Sequence, residues 1–164
     1  MIWYERFMNG VETLIKYFLI SVVAITTSLT LIEVIRRYCF GLSFVWSEEL
    51  VGYLLLWLTF VGGSLGFKKG NLVLLDLAIK YIPQKYEIIY KFIVNTVVLV
   101  FISFLFRYAV RHTFSFAVMR QYSTGLGISM AIPNLGIPLG LGLMILFSLD
   151  AYKELFKNLL EGKG

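Results

Sequence analysis

Residues 17–32 read YFLISVVAITTSLTLI, a run without a single charged side chain. Three further runs without charge follow it, at residues 50–67, 92–106 and 121–149. A helix needs about 20 mostly apolar residues to cross a hydrocarbon core of about 30 Å, and long cationic side chains at its ends can reach the interface. The sequence therefore predicts four membrane-spanning helices, at about residues 14–35, 48–67, 88–110 and 132–150.

The composition supports a membrane protein and excludes two other classes. Apolar residues make up 59% of the 164 residues, only 15% are charged, and the mean hydropathy is +0.80. A soluble domain carries roughly 25% charged residues, and a disordered chain is poor in aliphatic and aromatic ones. The predicted fold class is all-α and polytopic, with residues 1–164 forming a single four-helix transmembrane domain. A signal peptide is the alternative for the first run, but no good cleavage site follows it, so we expect this helix to be retained.

Residues 71–83, NLVLLDLAIKYIP, are apolar but too short to span, and they carry Asp76 and Lys80 one helical turn apart. This pattern predicts an amphipathic helix at about residues 71–82 that lies in the membrane interface between spans two and three. Glycines and prolines crowd the fourth uncharged run, so its first part is expected to be a loop or a broken helix.

The basic residues predict the orientation of the spans. With both termini on one side of the membrane, ten of the 15 Lys and Arg residues lie on that side. Because cytoplasmic loops carry the excess of Lys and Arg, both termini are predicted to be cytoplasmic. The formal charge of +5 comes without basic blocks, so it is read as membrane topology and predicts no nucleic-acid partner.

Two groups of charged residues lie near the predicted outer ends of the first two spans. Glu33 is followed by Arg36 and Arg37 on the same helix face, which suits either an ion pair at the helix end or contact with a partner. Residues 46–50 read WSEEL, in which Ser47 could cap the second helix and the carboxylates could complement its dipole. The same residues could instead contact a partner.

The residues predict neither an enzyme nor a cofactor site. Glu48 and Glu49 are adjacent, so they point about 100° apart on a helix and have no nucleophile or metal ligand beside them. One histidine, His112, and one cysteine, Cys39, are too few for a zinc site. A phosphate-binding loop motif is also absent from the sequence.

Small residues recur at GxxxG spacing on two predicted spans. Such pairs let helices approach closely, either within the chain or against another membrane subunit. The predicted packing residues are Gly62, Gly66, Gly136 and Gly140.

Several of these motifs together resemble a known family. EVIRRYCF at 33–40, WSEEL at 46–50, STGLGISM at 123–130 and IPLG at 137–140 are similar to the small membrane subunit, DctQ, of tripartite ATP-independent periplasmic (TRAP) transporters. Asn71 departs from the pattern, since many members of the family carry a histidine there.

The resemblance implies a division of labour among three proteins in the bacterial inner membrane and periplasm. A large permease (M) subunit carries the ion and substrate sites, and a periplasmic solute-binding (P) protein delivers an organic acid. The small subunit, surrounded by membrane lipid, scaffolds the permease. Candidates for partner contact are then Glu33, Arg36, Arg37, Tyr38, Trp46, Ser47, Glu48, Glu49 and, in the interfacial segment, Asp76.

Two alternatives from other classes stay open on the sequence. A stand-alone four-helix exporter of small molecules or ions should carry a carboxylate inside a span, whereas Glu33 lies near the end of one. A membrane anchor of a redox complex should carry paired histidines for haem, whereas His112 is the only histidine. The transported substrate is not encoded in these features.

Overall fold

The computed structural model describes residues 2–79 and 87–160 of the chain. In chain order its helices are α1 (Ile2–Phe40), α2 (Val45–Ile79), α3 (Glu87–Thr113), α4 (Phe116–Arg120), α5 (Ala131–Asn134) and α6 (Gly136–Leu160). No strand occurs in these two ranges.

Four segments of these helices are long and apolar enough to cross a membrane. They are Met8–Phe40, Val45–Lys69, Ile89–Thr113 and Ala131–Lys153, the last beginning in α5. Helices satisfy their own backbone hydrogen bonds, which is the condition for crossing hydrocarbon. The prediction of an all-α, multi-pass membrane protein is confirmed.

The four long helices are arranged as a row. α2 and α6 pack together at its centre, α1 packs mainly against α2, and α3 packs against α6. One end of the row holds the connections at residues 41–44 and 114–130, and we call it the loop end. Both described chain termini lie toward the opposite end, which we call the terminal end.

Glycines on α6 bring it close to α2. A Cβ atom added at Gly140 would lie 2.4 Å from the carbonyl oxygen of Phe60, and one at Gly136 would lie 3.1 Å from the ring of Trp57. The distances at Gly140 leave no room for a side chain, and at Gly136 the Trp57 ring would have to shift slightly, so α6 lies close to α2 at both glycines.

The other glycine pair behaves differently. A Cβ atom at Gly62 would lie 3.6 Å from Leu19 of α1, which is ordinary contact. At Gly66 no neighbouring atom of the described chain lies within 4 Å of that position. No other described helix approaches the Cβ position of Gly66 closely, and its packing role stays a prediction.

Buried polar side chains join α3 to α6 near the terminal end. The side-chain amide of Asn95 donates to the backbone carbonyl of Ser148 at 3.1 Å, and the Ser148 hydroxyl donates to the Asn95 Oδ1 at 3.0 Å. One turn further along α6, the Tyr152 hydroxyl lies 2.5 Å from the hydroxyl of Thr96 on α3. Hydrogen bonds of this kind hold helices together in lipid, where apolar contact alone gives little preference for a partner helix.

Substitution of Asn95 and Ser148 tests whether their hydrogen bonds stabilise the packing of α3 against α6. Asn95→Ala and Ser148→Ala, alone and combined, form a double-mutant cycle, and the measured quantity is the free energy of unfolding in micelles. We expect a coupling energy of about 0.6 kcal/mol and at most about 1.7 kcal/mol, the range for hydrogen bonds between membrane helices. Strict additivity of the two single substitutions would contradict a direct interaction.

The predicted interfacial helix falls partly on residues that the structure describes. Residues 71–79 are helical and continue α2 without a break, whereas residues 80–82 lie outside the described ranges. The side chain of Asp76 is likewise outside them. The position of this segment in the membrane interface stays a prediction.

Candidate functional site at the loop end

Glu33 ties the end of α1 to the start of α2. Its Oε1 accepts a hydrogen bond from the Ser43 hydroxyl at 2.6 Å and another from the backbone N–H of Phe44 at 3.1 Å. Because Phe44 immediately precedes α2, this carboxylate satisfies an amide at the helix start, where backbone donors lack partners within the helix. In the described chain no ion pair within 4 Å joins Glu33 to Arg36 or Arg37, so the first of the two alternatives for these residues, a pair at the helix end, is not formed.

Arg36 and Arg37 turn to different neighbours. The Arg36 guanidinium lies 3.5 Å from the centre of the Phe44 ring, a cation–π geometry. Arg37 Nη1 lies 3.9 Å from the Glu48 Oε1, and both side chains are largely exposed. Exposed pairs at this distance contribute little to stability, so Arg37 and Glu48 remain accessible to a partner.

Tyr38 and Trp46 differ in their accessibility. Tyr38 is 84% exposed, the most exposed of the large apolar and aromatic side chains described. Trp46 is half-buried, and its ring centre lies 5.2 Å from that of Phe44. Tyr38 thus extends the accessible surface around Arg37, whereas Trp46 belongs largely to the packing within the chain.

Ser47 does not cap α2, contrary to its predicted role. The helix begins at Val45, and Ser47 lies in its first turn with only 3% of its surface exposed. Its hydroxyl donates to the Phe44 carbonyl at 2.9 Å. Glu48, also in the first turn, keeps the expected position for an acidic side chain at the positive end of the helix dipole.

Glu49 is held by a loop that lies more than seventy residues further along the chain. Its carboxylate accepts hydrogen bonds from the hydroxyls of Ser123 and Thr124, the latter at 2.6 Å, and from the Gly125 N–H at 3.1 Å to each oxygen. We call this arrangement, made by Glu49, Ser123, Thr124 and Gly125, the carboxylate clasp. It occupies the Glu49 side chain within its own chain, so Glu48, and not Glu49, is the acidic residue left to face outward.

The shape of the loop explains its residue types. A Cβ atom on Gly125 would lie 2.8 Å from the Trp46 Cα, so only glycine lets the loop approach the start of α2 this closely. Gly127 has φ +64°, which also favours glycine. Backbone bonds from Ser123 N to Ile128 O and from Met130 N to Gln121 O, each 2.9 Å, close residues 121–130 into a compact hairpin-like loop.

Sequence reasoning missed a second charged cluster, at the terminal end. Glu12 pairs with Lys16 at 2.7 Å on α1 and with Lys68 of α2 at 3.0 Å. The first pair follows the i,i+4 spacing and could have been read from the sequence. The second joins the two helices and depends on their packing. Within the described chain no group of three or more His, Cys, Asp or Glu residues is placed to hold a metal ion.

The sequence of the chain matches the model of a known protein family. The family model for the DctQ component of tripartite ATP-independent periplasmic transporters matches residues 26–158, which include the whole loop end. The chain belongs to the DctQ family. The resemblance drawn from the sequence motifs is thereby confirmed.

Two curated relatives of this DctQ protein carry names from the same transporter class. A TRAP transporter small permease protein of Haemophilus influenzae is 31% identical over 81 residues, 49% of this chain and 50% of that protein. The C4-dicarboxylate TRAP transporter small permease protein DctQ of Vibrio cholerae is 25% identical over 88 residues, 54% of this chain and 38% of that protein. The chain thus spans half the length, or less, of the curated relatives it matches.

Proposed function

We propose that this DctQ-family chain is the non-catalytic scaffold subunit of a TRAP transporter. In this role it binds a large permease (M) subunit, which takes up an organic acid with the energy of an ion gradient. A periplasmic solute-binding (P) protein delivers that acid. The family match over residues 26–158 supports this function over the stand-alone exporter and the membrane anchor. The organic-acid class is supported by the name of the Vibrio cholerae relative, which specifies C4-dicarboxylates for that protein.

The scaffold role is supported mainly by the face of α1 that points away from α2. This helix packs mainly against α2, so its opposite side is left to lipid or to a partner. Large apolar side chains on it are more than half exposed; they include Leu31, Ile32, Ile35 and Tyr38. At the loop end Tyr38 lies next to Arg37, whose exposed side chain faces the exposed Glu48 of α2. A surface with an apolar core and a polar rim is typical of protein interfaces.

The proposed orientation follows from the distribution of basic residues. With both termini in the cytoplasm of a bacterial inner membrane, the loop end faces the periplasm. The periplasmic solute-binding protein would then approach from the side of Arg37, Tyr38 and Glu48. Asp76, at the other end of α2, would lie near the cytoplasmic surface and serve contact with the permease there.

The combined substitution Arg37→Ala/Tyr38→Ala tests whether the loop end contacts the permease or the solute-binding protein. An exposed aromatic and arginine pair is typical of interface hot spots. We expect about tenfold less permease retained by the tagged chain if the pair contacts the permease, and about tenfold slower uptake with normal retention if it contacts the solute-binding protein. The measurements are copurification in detergent and transport in proteoliposomes. Arg120→Ala/Tyr122→Ala, an exposed pair elsewhere at the loop end, is the matched control. Wild-type retention and uptake in the first variant, at normal expression, would contradict the contact.

A further inference from the structure

The face of α3 that points away from α6 carries a continuous apolar stripe. Its members follow one another at intervals of three or four residues, so they lie along one side of the helix. Each is more than half exposed; they are Ile89, Ile93, Val97, Val100, Phe104 and Tyr108. The opposite side of α3 is buried against α6 through Asn95 and Ile102.

The stripe ends in a groove with two arginines. Phe104, Arg107, Tyr108 and Arg111 line a cavity of about 220 Å³ on the helix surface. The rings of Phe104 and Tyr108 lie 4.7 Å apart and form one of its walls. We call these four residues the α3 groove.

The two guanidinium groups of the α3 groove have no acidic neighbour in the described chain, where no carboxylate lies within 4 Å of either. Other arginines at the loop end are engaged: Arg37 lies beside Glu48, and the Arg120 guanidinium lies 4.1 Å from the centre of the Phe116 ring. Arg107 and Arg111 are one helical turn apart, so both can reach one anion.

The depth of the arginines fits the boundary between hydrocarbon and headgroups. The spanning segment of α3 begins at Ile89. With a rise of about 1.5 Å per residue, Arg107 lies about 27 Å along the helix from Ile89 and Arg111 about 33 Å. A hydrocarbon core of about 30 Å that begins at Ile89 therefore ends between the two arginines.

We propose that the α3 groove binds the headgroup phosphate of an anionic phospholipid, whose acyl chains lie along the apolar stripe. Arginine suits this role because its planar guanidinium donates two parallel hydrogen bonds to phosphate oxygens. Tyr108 occupies the level at which aromatic side chains line a bilayer. Two uncompensated positive charges favour a lipid with net negative charge over one whose headgroup carries its own cation. This site is independent of the proposed contact with a permease.

Native mass spectrometry of the full chain, titrated with phosphatidylglycerol or phosphatidylcholine, tests the proposal. We expect the wild type to bind phosphatidylglycerol several times more tightly. Charge-assisted hydrogen bonds from arginine to phosphate contribute strongly to affinity. Arg107→Gln/Arg111→Gln is therefore expected to weaken phosphatidylglycerol binding by about tenfold or more. The matched control, Arg37→Gln/Arg120→Gln, removes the same charge at the loop end and is expected to change the affinity by less than about twofold.

Three outcomes would overturn the lipid site. They are unchanged affinity in the groove variant, equal weakening in both double variants, and equal binding of the two lipids by the wild type. Unchanged lipid affinity together with reduced permease copurification would assign the groove to a protein partner. If the glutamine pair lowers the helical content, Arg107→Lys/Arg111→Lys decides instead. That variant keeps the charge but loses the planar donors, and is expected to weaken phosphatidylglycerol binding partially.

Discussion

Gly140→Ala is expected to be the most destabilising addition of a single methyl group in the described chain. The new Cβ atom would lie 2.4 Å from the carbonyl oxygen of Phe60 and 2.5 Å from its carbonyl carbon. Both are backbone atoms of α2 and cannot rotate away, so α6 has to move from its central position. Overpacking costs about 1–3 kcal/mol and occasionally more, while alanine regains about 1 kcal/mol of helix propensity. We expect a net loss of about 2 kcal/mol in the free energy of unfolding.

Gly66→Ala is the matched control, because it adds the same methyl group to a helical glycine with open space around it. It is expected to leave the stability unchanged or to raise it slightly through the better helix propensity of alanine. The measurement is the loss of helical circular dichroism during titration with sodium dodecyl sulfate. Equal midpoints for Gly140→Ala and Gly66→Ala would contradict the close approach of α6 to α2.

Glu49→Ala is expected to release the loop of residues 121–130. The substitution leaves the buried hydroxyl of Ser123, the Thr124 hydroxyl and the Gly125 N–H without their common acceptor. A backbone amide that loses its charged hydrogen-bond acceptor is far less protected against hydrogen exchange. Exchange at the Gly125 amide should therefore accelerate by about tenfold or more. Exchange in the centres of α2 and α6 should stay slow. The same variant is expected to lower uptake if the loop end docks a partner.

The neighbouring carboxylate provides the control for the clasp. Glu48→Ala removes the same charge one residue earlier, but Glu48 has only a long, exposed contact with Arg37. In the Glu48→Ala variant, hydrogen exchange at residues 123–126 is expected to match that of the wild type. Glu49→Gln keeps an oxygen that can accept a hydrogen bond, so intermediate protection is expected. Slow exchange at Gly125 in Glu49→Ala would show that the loop holds its shape without the carboxylate.

The number and identity of the long helices could be predicted from the charges alone. A bilayer admits only elements that satisfy their own backbone, so a run such as residues 17–32 leaves one possible structure. The row arrangement could not be predicted in this way. Lipid tails are as apolar as a neighbouring helix, so the sequence of α1 does not show which of its faces meets α2. Spacing also failed to distinguish Gly140, whose Cβ position lies against the Phe60 backbone, from Gly66, whose Cβ position has no described neighbour within 4 Å.

The loop end could be predicted as a region but not in its pairings. Spacing along α1 allowed an ion pair of Glu33 with Arg36 or Arg37 as one alternative, but the backbone amide of Phe44 and the Ser43 hydroxyl bind its carboxylate. Donors at the start of α2 have no partner within their helix, and the sequence does not show that the turn brings them to Glu33. The partners of Glu49 lie in a loop at residues 123–125, so only the packing of α6 against α2 brings them together. The serine, threonine and glycine in an otherwise apolar run were the one available signal.

Coexpression of the tagged chain with the permease of its own transporter, followed by size-exclusion chromatography in detergent, tests the scaffold role most directly. We expect the two proteins to elute together in equimolar amounts. We also expect the permease purified without this chain to be less stable to heat. Elution of the two proteins in separate peaks, with a permease that is equally stable alone, would contradict the proposed function.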